Sequence, residues 1–214
     1  MHTAARPEGA AAALAAVLAA RQTVLPRRLG APGPDAAQLQ AILGAARHAP
    51  DHGGLLPWRL TLVPEAARAA LGEAFVQALH ERDPHADAEA QARARDKAAR
   101  APVLLLVTVD ESPDLAGHSA SPVPPAERVL SAGCAVQNVL LMATALGYGG
   151  ALTSGQALQS HALRALFALA PAERAVCFLS LGSVIAARPP RERPAPSRYL
   201  RTLVPGLGVQ PLDL

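Results

Sequence analysis

Residues 129 to 152 form the longest apolar stretch of the chain, interrupted by Gln137 and Asn138 and closing on Gly149 and Gly150. The part from Glu127 to Leu146 reads as a helix that is apolar on nearly all sides, and such a helix belongs in the middle of a protein or in an interface. Gly147 ends it. The amide side chains argue against a bilayer span, so a buried core helix is expected and no membrane partner. With 214 residues, half of them apolar, the chain has material for one ordinary domain or two small ones packed around that helix.

Charge excludes more than it assigns. The formal net charge is +3, all but one of the basic residues are Arg, and Lys97 is the exception. Acidic residues are interspersed with the Arg and aromatics make up 3% of the chain, so no stacking platform for nucleic acid is expected. Cys134 and Cys177 lie singly in apolar runs with no histidine at ligand spacing, which reads as buried free thiols and no metal site. The first twenty residues lack a charged start followed by a strongly apolar core, so a cytoplasmic protein is expected.

Along the chain, residues 9 to 21 read as an Ala-rich helix, and a second helix runs from Asp35 to Pro50. Residues 49 to 57, APDHGGLLP, combine prolines with glycines as a shaped loop requires, and Trp58 to Val63 alternates as a half-buried strand. Pro64 opens another helix, continued by a polar stretch over 85–100 that is expected to face solvent. Val103 to Val109 is a buried strand, and 111–125 a proline-rich surface loop near a substrate opening. Ala151 to Ser154 reads as a short strand, Ala157 to Leu169 as a helix and Ala175 to Val184 as a buried strand. From Ala186 onward the Pro- and Arg-rich sequence is expected to lie extended on another surface. Residues 1–185 thus form one domain and 186–214 an arm.

The segment Arg21-Gln22-Thr23, the loop APDHGGLLPWR, the run SAGCAVQNVLLMATALGYGG and the strand AVCFLSLGSV, in that order, resemble the nitroreductase family. The resemblance spans roughly residues 15 to 185 and is nearest the short, single-domain bacterial members. It implies an α+β fold with a central, mostly antiparallel sheet flanked by helices, in an intertwined homodimer whose two subunits build each FMN site. It also implies transfer of hydride from NADH or NADPH through flavin N5 to a nitroaromatic, quinone or similar small acceptor by a ping-pong mechanism, with no obligatory catalytic side chain.

Carried onto this sequence, the resemblance places Arg21, Gln22 and Thr23 at the flavin phosphate and ribityl chain, and His48 and His52 on the loop supplied by the partner subunit. Leu152, Thr153 and Ser154 approach the flavin, with Gly149 and Gly150 permitting close backbone approach. Asp51 is expected to brace its own loop, Trp58 to pack in the core, and Met142 to Gly147 to pack rather than meet a nicotinamide. Gln22 and Thr153 stand where related sequences often carry Arg, which thins phosphate neutralisation unless Arg27, Arg28 or Arg198 compensates. Two alternatives follow: a flavin-binding or storage protein without turnover, and a cofactor-free interaction module built on the C-terminal arm.

Overall fold

A computed structural model of the chain describes residues 9–112 and 123–212. Its centre is strand β5 (Glu173–Val184), which pairs antiparallel with β3 (Val103–Asp110), β4 (Gly149–Thr153) and the two-residue β1 (Leu29–Gly30). Strand β2 (Trp58–Leu62) joins β3 from the other side, also antiparallel, to complete a five-stranded sheet. Helices cover both faces, and for that reason β3 is buried along nearly its whole length instead of alternating in and out.

On one face, α2 (Ala36–Gly44) and α5 (Pro125–Ala145) close a core of Ile42, Trp58, Leu105, Val107, Val139 and Leu179. On the other, α3 (Arg68–His80), α4 (Ala88–Asp96) and α6 (His161–Leu166) close a second core around Leu71, Phe75, Leu106, Leu163 and Phe178. The α+β expectation holds, and Trp58 is core as expected. Helix α5 is long and apolar enough to cross a bilayer, yet Ala132, Ala135, Val139 and Ala143 pack it on the sheet.

Several boundaries differ from the sequence reading. The second helix ends at Gly44, and Ala45–His48 tightens into a 3₁₀ turn before Pro50. The helix expected over 157–169 breaks at Ser160, whose hydroxyl accepts the Leu163 amide at 3.1 Å and starts α6 afresh. The stretch 85–100 does not simply face solvent: Ala94 and Ala98 are buried in the second core. After 186 the chain runs without helix or strand to a 3₁₀ turn at Pro196–Arg198, then folds into a hairpin of β6 (Arg201–Val204) and β7 (Gly208–Pro211). The proline-rich loop over 111–125 lies largely outside the described residues.

Candidate functional site

The segment after the first helix, α1 (Ala10–Ala20), is laid against the edge of β4. Thr23 bridges Gly150 in parallel, and the Val24 amide donates to the Gly150 carbonyl at 3.0 Å. This contact brings Arg21, Gln22 and Thr23 to the strand that carries Leu152 and Thr153, two stretches about 130 residues apart in sequence. A side chain at Gly149 would sit 2.7 Å from Val184 and 2.9 Å from Leu29, and one at Gly150 2.7 Å from Leu140. The glycine pair therefore makes room for neighbouring side chains of the protein itself, while Gly149 also lines the groove described next. Gly155 has open space where a side chain would be.

Residues 22–25 form one wall of a first hollow, and Leu25 continues into the lining of a second. One is a groove of about 600 Å³ lined by Gln22, Thr23, Arg28 and Tyr148, with Arg188, Arg191 and Arg193 from the C-terminal arm. Arg193 donates to the Arg21 carbonyl at 3.0 Å, which ties the arm to this wall. Local desolvation, and then the charges of Arg188 and Arg27, hold the Arg28 guanidinium below its ordinary value. The other is a cavity of about 680 Å³ that Leu25, Arg27, Thr153, Ser154 and Gly155 line on this side. Its apolar floor includes Phe75, Leu104 and Phe178, the two rings meeting edge to face at 5.5 Å. Leu25 lines both.

His48 and His52 lie elsewhere. The His52 Nδ1 is 2.5 Å from Glu127 Oε2 in the first turn of α5, and Arg47 Nε donates to His48 Nε2 at 3.2 Å. Gly150 sits beside Leu140, thirteen residues further along α5, which at 1.5 Å per residue is about 20 Å. Within one chain Gln22 and Thr23 line the groove, Thr153 and Ser154 line the cavity, and Arg21, Leu152, His48 and His52 line neither, with His52 held at the far end of α5. Asp51 braces the histidine loop as expected, its carboxylate accepting the Leu56 amide at 2.6 Å where Leu56 adopts the left-handed region at φ 47°.

Four cavity residues escaped the sequence reading: Arg82, Arg93, Lys97 and Arg100. The signal was present, since 93, 97 and 100 recur at helical spacing on one face beside buried Ala94 and Ala98. It resembles a solvated stripe until the partner surface is known. Of the suggested compensating residues, Arg27 lines the cavity and Arg28 the groove, while Arg198 lines neither. Among the described residues no cluster suited to a metal ion occurs.

The family model described as the nitroreductase family matches residues 18–183, which include residues 22–25, the whole lining of the cavity and all of the sheet but Val184. The chain belongs to the nitroreductase family. YdjA of Escherichia coli K12, provisionally named an NAD(P)H nitroreductase, is 33% identical over 156 residues, 73% of this chain and 81% of that protein. The nitroreductase-like protein of Bacillus cereus shares the fold at a TM-score of 0.75 with 21% identity, covering 96% of this chain and all of the other. A nitroreductase from Desulfitobacterium hafniense, solved with bound FMN, superposes at 0.60 with 20% identity, covering 85% and 94%.

Proposed function

We propose that this nitroreductase-family chain is an FMN-dependent NAD(P)H oxidoreductase that works as a homodimer. The observation that carries the proposal is the adjacency of two hollows that meet at Leu25, a cationic groove walled by residues 22–25 and an apolar-floored cavity carrying hydroxyl groups. That pairing fits an amphiphilic, phosphorylated cofactor. Thr23, Gln22 and Arg28 would hold the phosphate end, joined by arginines of the arm. The hydroxyls of Thr153 and Ser154 and the open Gly155 backbone would meet the polar edge of the ring system. When bound, FMN supplies the hydride chemistry that links NAD(P)H to a small acceptor. The chain contributes position, charge and exclusion of water.

The separation of His48 and His52 from this wall supports a site completed by a second copy, because no single chain brings the two groups together. Helix α1 supports it further: none of its residues is buried, although it is almost wholly apolar. The hairpin β6–β7 likewise leaves Leu203, Leu207 and Val209 exposed, a surface that a partner copy would cover. We read residues 186–214 as that arm.

Titration of the purified protein with FMN, followed by flavin fluorescence and elution volume, tests the reading. Saturable binding to a dimer is expected, with affinity falling at least about tenfold in Arg21→Ala through the loss of a charge-assisted contact to the phosphate. A monomer that ignores saturating FMN overturns it. Flavin bound without NAD(P)H oxidation by any acceptor would favour a storage role instead.

A further inference from the structure

The cavity beside Thr153 and Ser154 holds more positive charge than a flavin seated by its phosphate in the neighbouring groove requires. Resting on the flavin reading above, we propose that Arg27, Arg82, Arg93, Lys97 and Arg100 form a ring that recognises a carboxylate or phosphate group on the reactant entering beside the flavin.

The ring is assembled from three parts of the chain. Arg93 and Lys97 come from α4 and its following turn, Arg100 from the approach to β3, Arg82 from the end of α3, and Arg27 from the wall segment. Two sets of contacts to neutral groups place its members. Buried Arg68 donates to the carbonyls of Val63 at 3.0 Å, Ala98 at 2.6 Å and Pro102 at 3.3 Å, pinning the turn between Lys97 and Arg100. Arg82 donates to the Ala78 carbonyl and to Gln156 Oε1 at 2.6 Å, which fixes it to the loop that follows Ser154.

Counter-charge is short within the ring. Arg93 is paired with Glu89, but among the described residues Arg27, Lys97 and Arg100 make no ion pair. Burial first, then the charges of Arg100 and Arg82, hold the Lys97 amine below its ordinary value. Like charges gathered at a partly desolvated rim repel one another, and an anion seated there relieves both penalties at once. The floor below is apolar and aromatic, with Phe75, Phe178 and Leu104. The reactant that fits has a flat apolar body and a negatively charged substituent directed to the rim.

Matched pairs test this on FMN-saturated protein: 4-nitrobenzoate against 4-nitrobenzamide as acceptors, and NADPH against NADH as donors. Binding is read from perturbation of the flavin absorption band, and turnover as kcat/KM. At low ionic strength the more negatively charged member of one pair (4-nitrobenzoate, or NADPH through its additional phosphate) should bind at least about tenfold better, and the difference should shrink as salt screens the exposed rim. The double variant Lys97→Gln, Arg100→Gln should bring the ratio close to one, with Lys97→Arg retaining it and FMN affinity in the double variant within about threefold of wild type. Discrimination in the acceptor pair puts the anion on the acceptor. Discrimination in the donor pair puts it on the nicotinamide nucleotide, and either result supports the ring. Absence of discrimination in both pairs, discrimination that survives the double variant, or a parallel loss of FMN affinity overturns this inference alone. Wild-type protein that takes up no FMN overturns the flavin reading and this inference with it.

Discussion

Two arginines show how much a single side chain does here. Arg68 and Arg128 are both buried and, among the described residues, neither forms an ion pair with a carboxylate; each instead gathers backbone carbonyls, Arg128 those of Val123, Asp110 and Ser112. Replacing either by Ala orphans three acceptors, and we expect a loss of about 3 kcal/mol or more in equilibrium unfolding. Arg68→Ala should in addition loosen the turn that carries Lys97, which Arg128→Ala should leave alone. Cys177 offers a different residue-scale check. Burial pushes its thiol up from an ordinary 9.0 to about 12, so the protonated form predominates in the folded state well past the point where the unfolded chain ionises. Its contribution to stability is intact below pH 9 and declines as pH rises from 9 toward 12. A thiol reagent at pH 8 should accordingly modify at most Cys134 in native protein, and both cysteines after denaturation.

At the scale of elements, the informative cases are those where a local rule and the tertiary surroundings disagree. Ser160 splits what composition reads as one helix because its hydroxyl caps α6 and its own amide closes the preceding 3₁₀ turn on Ala157. Ser160→Ala should cost about 1 kcal/mol by thermal or chemical denaturation, and Ser160→Asp should recover most of it. The stripe 93, 97, 100 illustrates the opposite situation. Helical periodicity places those cations on one face, but whether that face meets water or a cavity depends on α3, β4 and the wall segment, which are remote in sequence. The histidine loop was legible in its turn residues and in the bracing role of Asp51, while its distance from Thr23 was not, since the length of α5 could be read locally but not which segments pack at its two ends.

For the whole molecule, the consequence of that separation can be tested by mixing subunits. Arg21→Ala and His52→Ala variants, each impaired in FMN binding or turnover, should complement when refolded together, because a heterodimer of the two carries one site with both residues intact. With random association about a quarter of all sites would be restored. Absence of recovery in confirmed heterodimers would mean that His52 and Arg21 do not share a site across subunits. The exposed leucines of α1 lead to a related expectation. Leu14 and Leu18 are 55% and 48% exposed, and Leu14→Glu with Leu18→Glu should shift the elution volume toward the monomer while leaving the core of each subunit folded.

The order of motifs, the buried strands at 103–109 and 175–184 and the apolar character of 127–146 were sufficient, from the sequence alone, to place this chain in its family, and that resemblance in turn implied an antiparallel sheet between helices. Those features are written as local hydrophobic patterns, which survive without knowledge of what they pack against. Tertiary structure alone decided that a groove and a cavity meet at Leu25, that Gly149 and Gly150 make room for neighbouring side chains, and that five cations line one cavity. Such convergences depend on strand pairing and on helix length, which bring distant segments within a few ångströms and so lie beyond any reading confined to neighbouring residues.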